Sequence, residues 1–315
     1  STRASRSFGH AMSERTLAVT GATGFVGATL LRAALASGYK VRALTRRPQP
    51  ATLGVDWIEG ALDLPYSLDL LVQGADAVIH VAGVVNAPDP SGFERGNIQG
   101  TQAIVDAAAA AGIARFVHVS SLAAREPSLS LYGWSKAEAE RVVAASGLDW
   151  VMVRPPWVYG PGDMDTLDMF RMARTGVVMV PPNGHVSVIH VGDLARLLMV
   201  LTTPGTAQGQ ILEADDGQPD GWTNKSFAKA IAQSVGRSGL ILATPRPMLR
   251  IGAWADRLLR GDKAKLTADR VRYFCHPDWR VDPNLRPDPS LWQPQVETRQ
   301  GLKETATSYR AAGLL

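Results

Sequence analysis

From residue 16 to about residue 150, short runs of β-branched and aliphatic residues alternate with longer stretches whose apolar positions recur every three or four residues. The runs at 17–20, 40–45, 55–59, 77–80, 116–120 and 150–154 read as strands, because short apolar runs bounded by turn residues suit a sheet covered on both faces. The stretches at 24–37, 67–72, 96–111 and 135–146 carry the helical spacing. Alternation of this kind builds βαβ units, and right-handed crossovers wind them into an α/β fold, a doubly wound parallel sheet with helices on both faces. After residue 154 the regularity fades and proline marks the chain at positions 155, 156, 161, 181 and 182. A helix at 192–201 and a strand at 210–213 still stand out, and the remainder to residue 315 is irregular and rich in Arg, Pro and Trp.

Composition narrows the class. Over 315 residues, 45% are hydrophobic and 20% charged, which excludes a disordered or fibrous chain. No run approaches the ~18 apolar residues of a membrane-spanning helix. The single cysteine, Cys275, cannot close an intramolecular disulfide and has no ligand neighbours for zinc, so a reducing compartment and no metal are expected. Residues 1–11 are polar and basic without an apolar core, and read as a loose tail or cloning remnant rather than a signal peptide. The expectation is a cytoplasmic protein, with peripheral contact at the inner membrane left open. The net charge of +4 is modest and gives no reason to expect a nucleic-acid partner. It is also local: residues 246–272 hold Arg246, Arg250, Arg257, Arg260, Lys263, Lys265, Arg270 and Arg272 against Asp256, Asp262 and Asp269. Nothing in the pattern fixes an oligomeric state.

Candidate chemistry begins where the first strand runs into Thr20-Gly21-Ala22-Thr23-Gly24-Phe25-Val26-Gly27 and then a helix. Gly21 permits a tight turn, Gly24 lets backbone approach a pyrophosphate, and Gly27 lets helix and strand pack closely, while the helix N-terminus offers N–H groups to phosphate. A strand before and a helix after make this a dinucleotide signature. The second strand ends at Thr45-Arg46-Arg47 with no acid to bind both ribose hydroxyls. Arg46 and Arg47 suit a 2′-phosphate, so NADP(H) is expected, with NAD(H) as the alternative. Ser120-Ser121 follow the fifth strand, and Tyr132 and Lys136 stand four apart on the next helix. That spacing puts an ammonium on the phenol's helical face, where it would favour the ionised form, and a serine hydroxyl across the cleft could hold a carbonyl oxygen beside the phenol.

Taken together, these residues resemble the short-chain dehydrogenase/reductases in their extended or atypical, epimerase/dehydratase-like branch. The nucleotide loop at 21–27 is similar to that branch's, as are Val81-Ala82-Gly83, Asn97, the Ser121/Tyr132/Lys136 set, Arg154-Pro155-Pro156-Trp157-Val158-Tyr159-Gly160-Pro161-Gly162, and Val188-Ile189-His190-Val191-Gly192-Asp193-Leu194-Ala195. The resemblance covers roughly 16–201. It implies a Rossmann sheet over residues 12–154, with 188–201 packing back on it, and a smaller substrate-binding region from 155–187 and 202–315. It also implies that Tyr132 donates or accepts the proton, Lys136 orients the ribose and lowers the Tyr pKa, Ser121 holds the substrate oxygen (Ser120 if the pair is offset by one) and Asn97 supports a water-linked proton path. The cofactor would be held by Gly21, Thr23, Gly24, Phe25, Val26, Gly27, Leu62, Val81, Ala82, Gly83, Pro155 and Val158, beside Arg46, Arg47, Tyr132 and Lys136. Ala61 stands where the family places an acid near the adenine.

Departures from the branch bear on substrate. Sugar-nucleotide enzymes of this kind carry an asparagine and an arginine aimed at the diphosphate, where Trp157 and Ser187 stand here. An indole cannot replace an amide and a hydroxyl cannot neutralise phosphate, so a sugar nucleotide is not expected. At 247–260, Met248, Ile251, Ala255, Leu258 and Leu259 make an apolar helical stripe flanked by Arg250, Arg257 and Arg260. Such a helix touches a membrane surface or roofs a lipid site, or else docks on the core with solvated arginines. Trp254, Trp279, Trp292, Tyr273 and Phe274 line an apolar pocket or pack a small core of their own. The run 266–280 and the basic helix resemble bacterial reductases of long-chain keto lipids in sphingolipid synthesis, of the 3-oxoceramide type. The expected function is NADP(H)-dependent reduction of a ketone on an apolar, lipid substrate. A sugar-nucleotide epimerase or dehydratase with tightly held NAD, and a non-enzymatic dinucleotide-binding sensor or assembly protein, are the alternatives.

Overall fold

The computed structural model describes residues 15–261 and 268–315, so the expected tail at 1–11 lies outside the described residues. The chain runs β1 (Thr16–Thr20), α1 (Phe25–Ala36), β2 (Lys40–Thr45), β3 (Val55–Glu59), α2 (Pro65–Val72) and β4 (Ala77–His80). A short α3 (Pro90–Phe93) and a π-helical turn (Glu94–Gln99) lead into α4 (Gly100–Ala110), then β5 (Arg115–Val119), α5 (Leu131–Ala144) and β6 (Asp149–Val153). Beyond these come β7 (Trp157–Tyr159), α6 (Leu167–Thr175), β8 (Val177–Val180), β9 (His185–Val186), β10 (Val188–His190), α7 (Val191–Val200) and β11 (Gln210–Leu212). The chain closes with β12 (Trp222–Thr223), α8 (Asn224–Ser234), β13 (Leu240–Ala243), α9 (Arg246–Arg260), α10 (Ala268–Phe274), β14 (Asp278–Trp279) and α11 (Thr298–Ala311).

Seven strands form one parallel sheet in the order β11-β6-β5-β4-β1-β2-β3. Alternate side chains feed opposite layers, as the two-residue period of a strand requires. Leu17, Val19, Ile79, Val117 and Val151 pack with α1 and α7, while Ala18, Val78, Phe116 and Met152 pack with α2 and α4. The winding direction reverses between β1 and β4, which opens a crevice at their C-terminal ends. β11 lies within the 202–315 stretch expected to bind substrate, yet it completes the main sheet, and Trp292 from the same stretch enters the layer under α7. A second core gathers Phe170, Val178, Trp222, Phe227, Trp279, Leu302 and Tyr309, which brings α6, α8 and α11 together.

Candidate active site

The nucleotide turn is built by backbone that cannot carry side chains. Gly21 has φ +73°, and a Cβ there would stand 2.7 Å from the Ala82 nitrogen. A Cβ on Gly27 would stand 1.9 Å from the Gly21 oxygen, so α1 leaves the turn at a distance only glycine allows. Gly24 caps α1 in an extended conformation with no side-chain cap, leaving the first-turn N–H groups to an outside acceptor. Thr23 and Gly24 are exposed, with Phe25 and Val26 half-buried behind them. The Thr20 hydroxyl accepts from the Ala82 N–H at 3.2 Å, which ties Val81-Ala82-Gly83 to the same crevice. This donor set and close-packed turn fit a dinucleotide pyrophosphate. Arg46 and Arg47 are exposed at the neighbouring strand end, where Thr45 Oγ1 donates to the Arg47 carbonyl at 2.6 Å and pins the turn. Leu62 is half-buried, its Cδ1 packed on the start of α4 at Gly100.

Across the switch point, β5 delivers two serines with different partners. Ser120 Oγ donates to Glu140 Oε1 at 2.5 Å, whereas Ser121 shares a hydrogen bond with the Tyr132 hydroxyl. Ser130 caps α5 by accepting the Gly133 N–H at 2.9 Å, and Tyr132 therefore sits in the helix's first turn, with Lys136 one turn on. The buried Lys136 Nζ donates to the Val119 carbonyl at 2.8 Å. Asn97 is buried in the π-helical turn; its Oδ1 accepts from Val84 N at 2.6 Å and its Nδ2 donates to the Val84 carbonyl and to Ser135 Oγ. A Cβ on Gly83 would lie 3.2 Å from Asn97 Oδ1 and 3.7 Å from Lys136 Nζ, so this glycine brings the β4 loop against both residues. The Pro155 carbonyl accepts from Leu122 N at 3.1 Å, and half-buried Val158 packs on the layer under α7.

The charges differ from the simple reading of the Tyr/Lys spacing. Burial pushes the Tyr132 phenol above its usual pKa, against the hydrogen bond from Ser121 and the positive charge of Arg270. Burial lowers Lys136 to about 8, with Glu140 opposing. In this structure the Val119 carbonyl takes the ammonium's hydrogen bond, and desolvation is the largest influence on the phenol.

Several residues here were not anticipated. Arg154 reaches Glu140 through two bonds of 2.8 and 2.7 Å and Glu213 at 3.5 Å, and Arg125 reaches Glu213 at 3.3 Å, a buried charge network below Ser120. α10 brings Arg270 and Tyr273 within electrostatic reach of Tyr132; burial, then the Tyr132 phenol, push Tyr273 upward. A separate polar cavity of about 540 Å³ is lined by Arg125, Glu126, Ser187, Asp278, Arg280 and Arg286, and not by Tyr132.

Trp157 and Ser187 both face inward. Trp157 donates to Thr166 at 3.0 Å and meets Phe227 edge-on, while buried Ser187 donates to Asp215 at 2.8 Å and accepts from Val281 N. Within the 188–195 segment, Asp193 fastens the C-terminal stretch: its Oδ2 accepts the Gln295 and Val296 N–H groups, each at 3.0 Å. The five aromatics divide between cores and surface, because Trp279 and Trp292 are buried in different cores, Tyr273 packs partly buried against Trp279, and Trp254 and Phe274 are exposed.

Residues 21–194 match a family model described as NAD(P)H-binding. The chain is 38% identical to a ceramide reductase of Caulobacter vibrioides over 95% of its own length and 96% of that protein's. It is 29% identical to a 2-alkyl-3-oxoalkanoate reductase of Stenotrophomonas maltophilia over 93% and 99% of the two chains. The Bordetella bronchiseptica enzyme WbmG, solved in complex with NAD, shares the fold with a TM-score of 0.75 at 17% identity, covering 97% of each chain. With the glycine turn, the parallel sheet and its reversal already in view, this chain belongs to the NAD(P)H-binding, Rossmann-fold short-chain dehydrogenase/reductase and epimerase-like family, and is an NAD(P)-dependent oxidoreductase.

Proposed function

We propose that the protein uses NADPH to reduce a ketone on a long-chain, ceramide-like keto lipid, with Tyr132 as the proton donor. The observation that carries the chemistry is the hydroxyl pair of Ser121 and Tyr132 at the C-terminal end of the sheet. Residues 12–154 with 188–201 hold the dinucleotide in this reading, and 155–187 with 202–315 receive the substrate. The α1 N-terminus and the glycine turn hold the pyrophosphate, and Arg46 with Arg47 meets the 2′-phosphate. Bound NADPH supplies the hydride to the carbonyl carbon.

The protein's own residues do the rest. Ser121 donates a hydrogen bond to the carbonyl oxygen and so orients it. Tyr132, a phenol whose burial raises its pKa further, transfers its proton to that oxygen as negative charge develops there. Lys136 binds the ribose. Asn97, its amide spent on Val84 and Ser135, is a positioning residue that locks the β4 loop to α5. The identity to a ceramide reductase along nearly the whole chain supports the lipid class. The inward packing of Trp157 weighs against a sugar nucleotide, since its indole N–H is spent on Thr166 and offers no amide to a diphosphate.

The test is NADPH oxidation with a long-chain keto-ceramide analogue and a short water-soluble ketone. Tyr132→Phe is expected to lose roughly 10²–10⁴ in kcat, the usual scale for a positioned acid, while its Kd for NADPH stays within about twofold of wild type. More than half the activity remaining would remove Tyr132 as the donor. A higher kcat/KM for the short ketone than for the keto-ceramide would overturn the lipid assignment.

A further inference from the structure

We infer that α9, with the β8–β13 ribbon that precedes it, is a docking face for anionic lipid bilayers. Eight of the fourteen large apolar residues exposed among the described residues lie on these three elements. On α9 they are Met248, Ile251, Trp254 and Leu258, between 57% and 66% exposed. At about 100° per residue the four fall within an arc of roughly 120°. The helix is anchored on its other side, where Leu249 packs against Val271 and Cys275 and Arg246 donates to the Cys275 carbonyl at 2.7 Å. The exposed arc is therefore the free face of a docked helix.

The ribbon repeats the arrangement. Leu240 pairs with Val177 and Leu242 with Met179 in register, and all four are exposed, while Val178 and Val180 between them are buried. Only Thr244 and Pro245 separate this strand from α9. Arg174, Arg237 and Arg250 are exposed at the borders of these elements, Arg250 within the cation-rich stretch 246–272.

Charge decides the occupant. A second copy docked symmetrically would set the arginine border against itself, whereas anionic headgroups complement it and the bilayer's apolar edge takes the side chains between. Tryptophan suits that boundary, with an apolar ring and one polar N–H. No described helix is long and apolar enough to cross a bilayer, so the contact lies in the plane of the membrane. Binding through this face does not depend on which ketone is reduced.

Sedimentation of the purified full chain with phosphatidylcholine vesicles, with and without phosphatidylglycerol, tests it. Wild type should bind the phosphatidylglycerol vesicles at least tenfold more tightly, and added salt should weaken that binding as screening requires. Ile251→Gln/Trp254→Gln/Leu258→Gln and Leu240→Gln/Leu242→Gln should each bind at least tenfold more weakly, with Tm and NADPH affinity unchanged because the side chains are exposed. Arg174→Gln/Arg237→Gln/Arg250→Gln should lose about fivefold per charge on phosphatidylglycerol and little on phosphatidylcholine. Absence of wild-type binding at low salt, or wild-type affinity in either apolar variant, overturns the inference. So does a vesicle-free dimer that the apolar variants abolish, which would assign the face to a second copy. Should a variant lower Tm, the wild-type arms decide: binding indifferent to phosphatidylglycerol and salt also overturns it.

Discussion

Below the reacting hydroxyls lies a stacked imidazole pair, His80 and His118, with ring centroids 5.4 Å apart. His80 bonds Thr20 Oγ1 at 2.7 Å and Thr101 Oγ1 at 3.0 Å, whereas neither His118 nitrogen has a partner among the described residues. Burial, with Lys136 nearby, lowers His80 to about 3 and holds His118 well below the usual imidazole range. The unfolded chain takes up protons near pH 6.5, and the folded chain resists until far lower, so stability is present above that pH and is lost as pH falls from about 6.5 toward 3. Each imidazole adds up to about 1.4 kcal/mol per pH unit to that loss. His118→Phe keeps the ring and removes the titration, so urea unfolding between pH 6 and 4 should show a slope shallower by about that amount. An unchanged slope would show that His118 takes up its proton in the fold. Neither ring was legible in the sequence, because a histidine within a wholly apolar strand looks the same whether it is bonded or bare. Tyr132, Lys136 and Ser121 were legible as candidates because each stands at a strand end or a fixed helical offset, whereas Asn97 was reached only through the family resemblance.

At the scale of elements, the first six strands were readable almost to the residue: β1, β4, β5 and β6 are largely buried runs, whereas β2 and β3 carry exposed Lys40, Asp56 and Glu59 and were delimited by their turns. The exposed turn after β2 bears on cofactor choice. Arg46→Ala should weaken NADPH binding by roughly ten- to a hundredfold, about 1.5–3 kcal/mol for a charge-assisted contact, and leave NADH nearly unaffected. Fluorescence titration with both cofactors checks this, and equal losses would mean that the arginine shapes the turn instead. The helix expected over 96–111 is in fact a π-helical turn followed by α4, a change with no side-chain signature in the pattern that nonetheless carries Asn97. α11 was invisible for a different reason: its buried face mixes Leu302, Ala306 and Tyr309 with Thr298, Gly301 and Thr305, too small and polar to read as a stripe.

Across the whole molecule, a chain of charges joins the sheet to the C-terminal region. Glu140 and Arg154 connect through Glu213, whose Oε2 also accepts the Asp282 N–H at 2.7 Å. Glu213 is fully buried, so removing its cations strands an uncompensated carboxylate. Arg154→Met should destabilise the fold by about 3–5 kcal/mol in chemical denaturation, well beyond a surface substitution. A loss below about 1 kcal/mol would show that Arg125 and the backbone suffice. No sequence pattern revealed this network, because its members come from four separate stretches of chain.

The late position of α11 sets a timetable for the newborn protein. The sheet and its glycine turn are complete once β11 has emerged at residue 212, whereas the second core still lacks Leu302, Ala306 and Tyr309. At roughly 5–20 residues per second, translation leaves an interval of about 5–20 s between the two events. During it the nascent chain has a finished cradle for a dinucleotide and an open apolar flank, so its exposure to chaperones and to aggregation lasts until α11 has emerged.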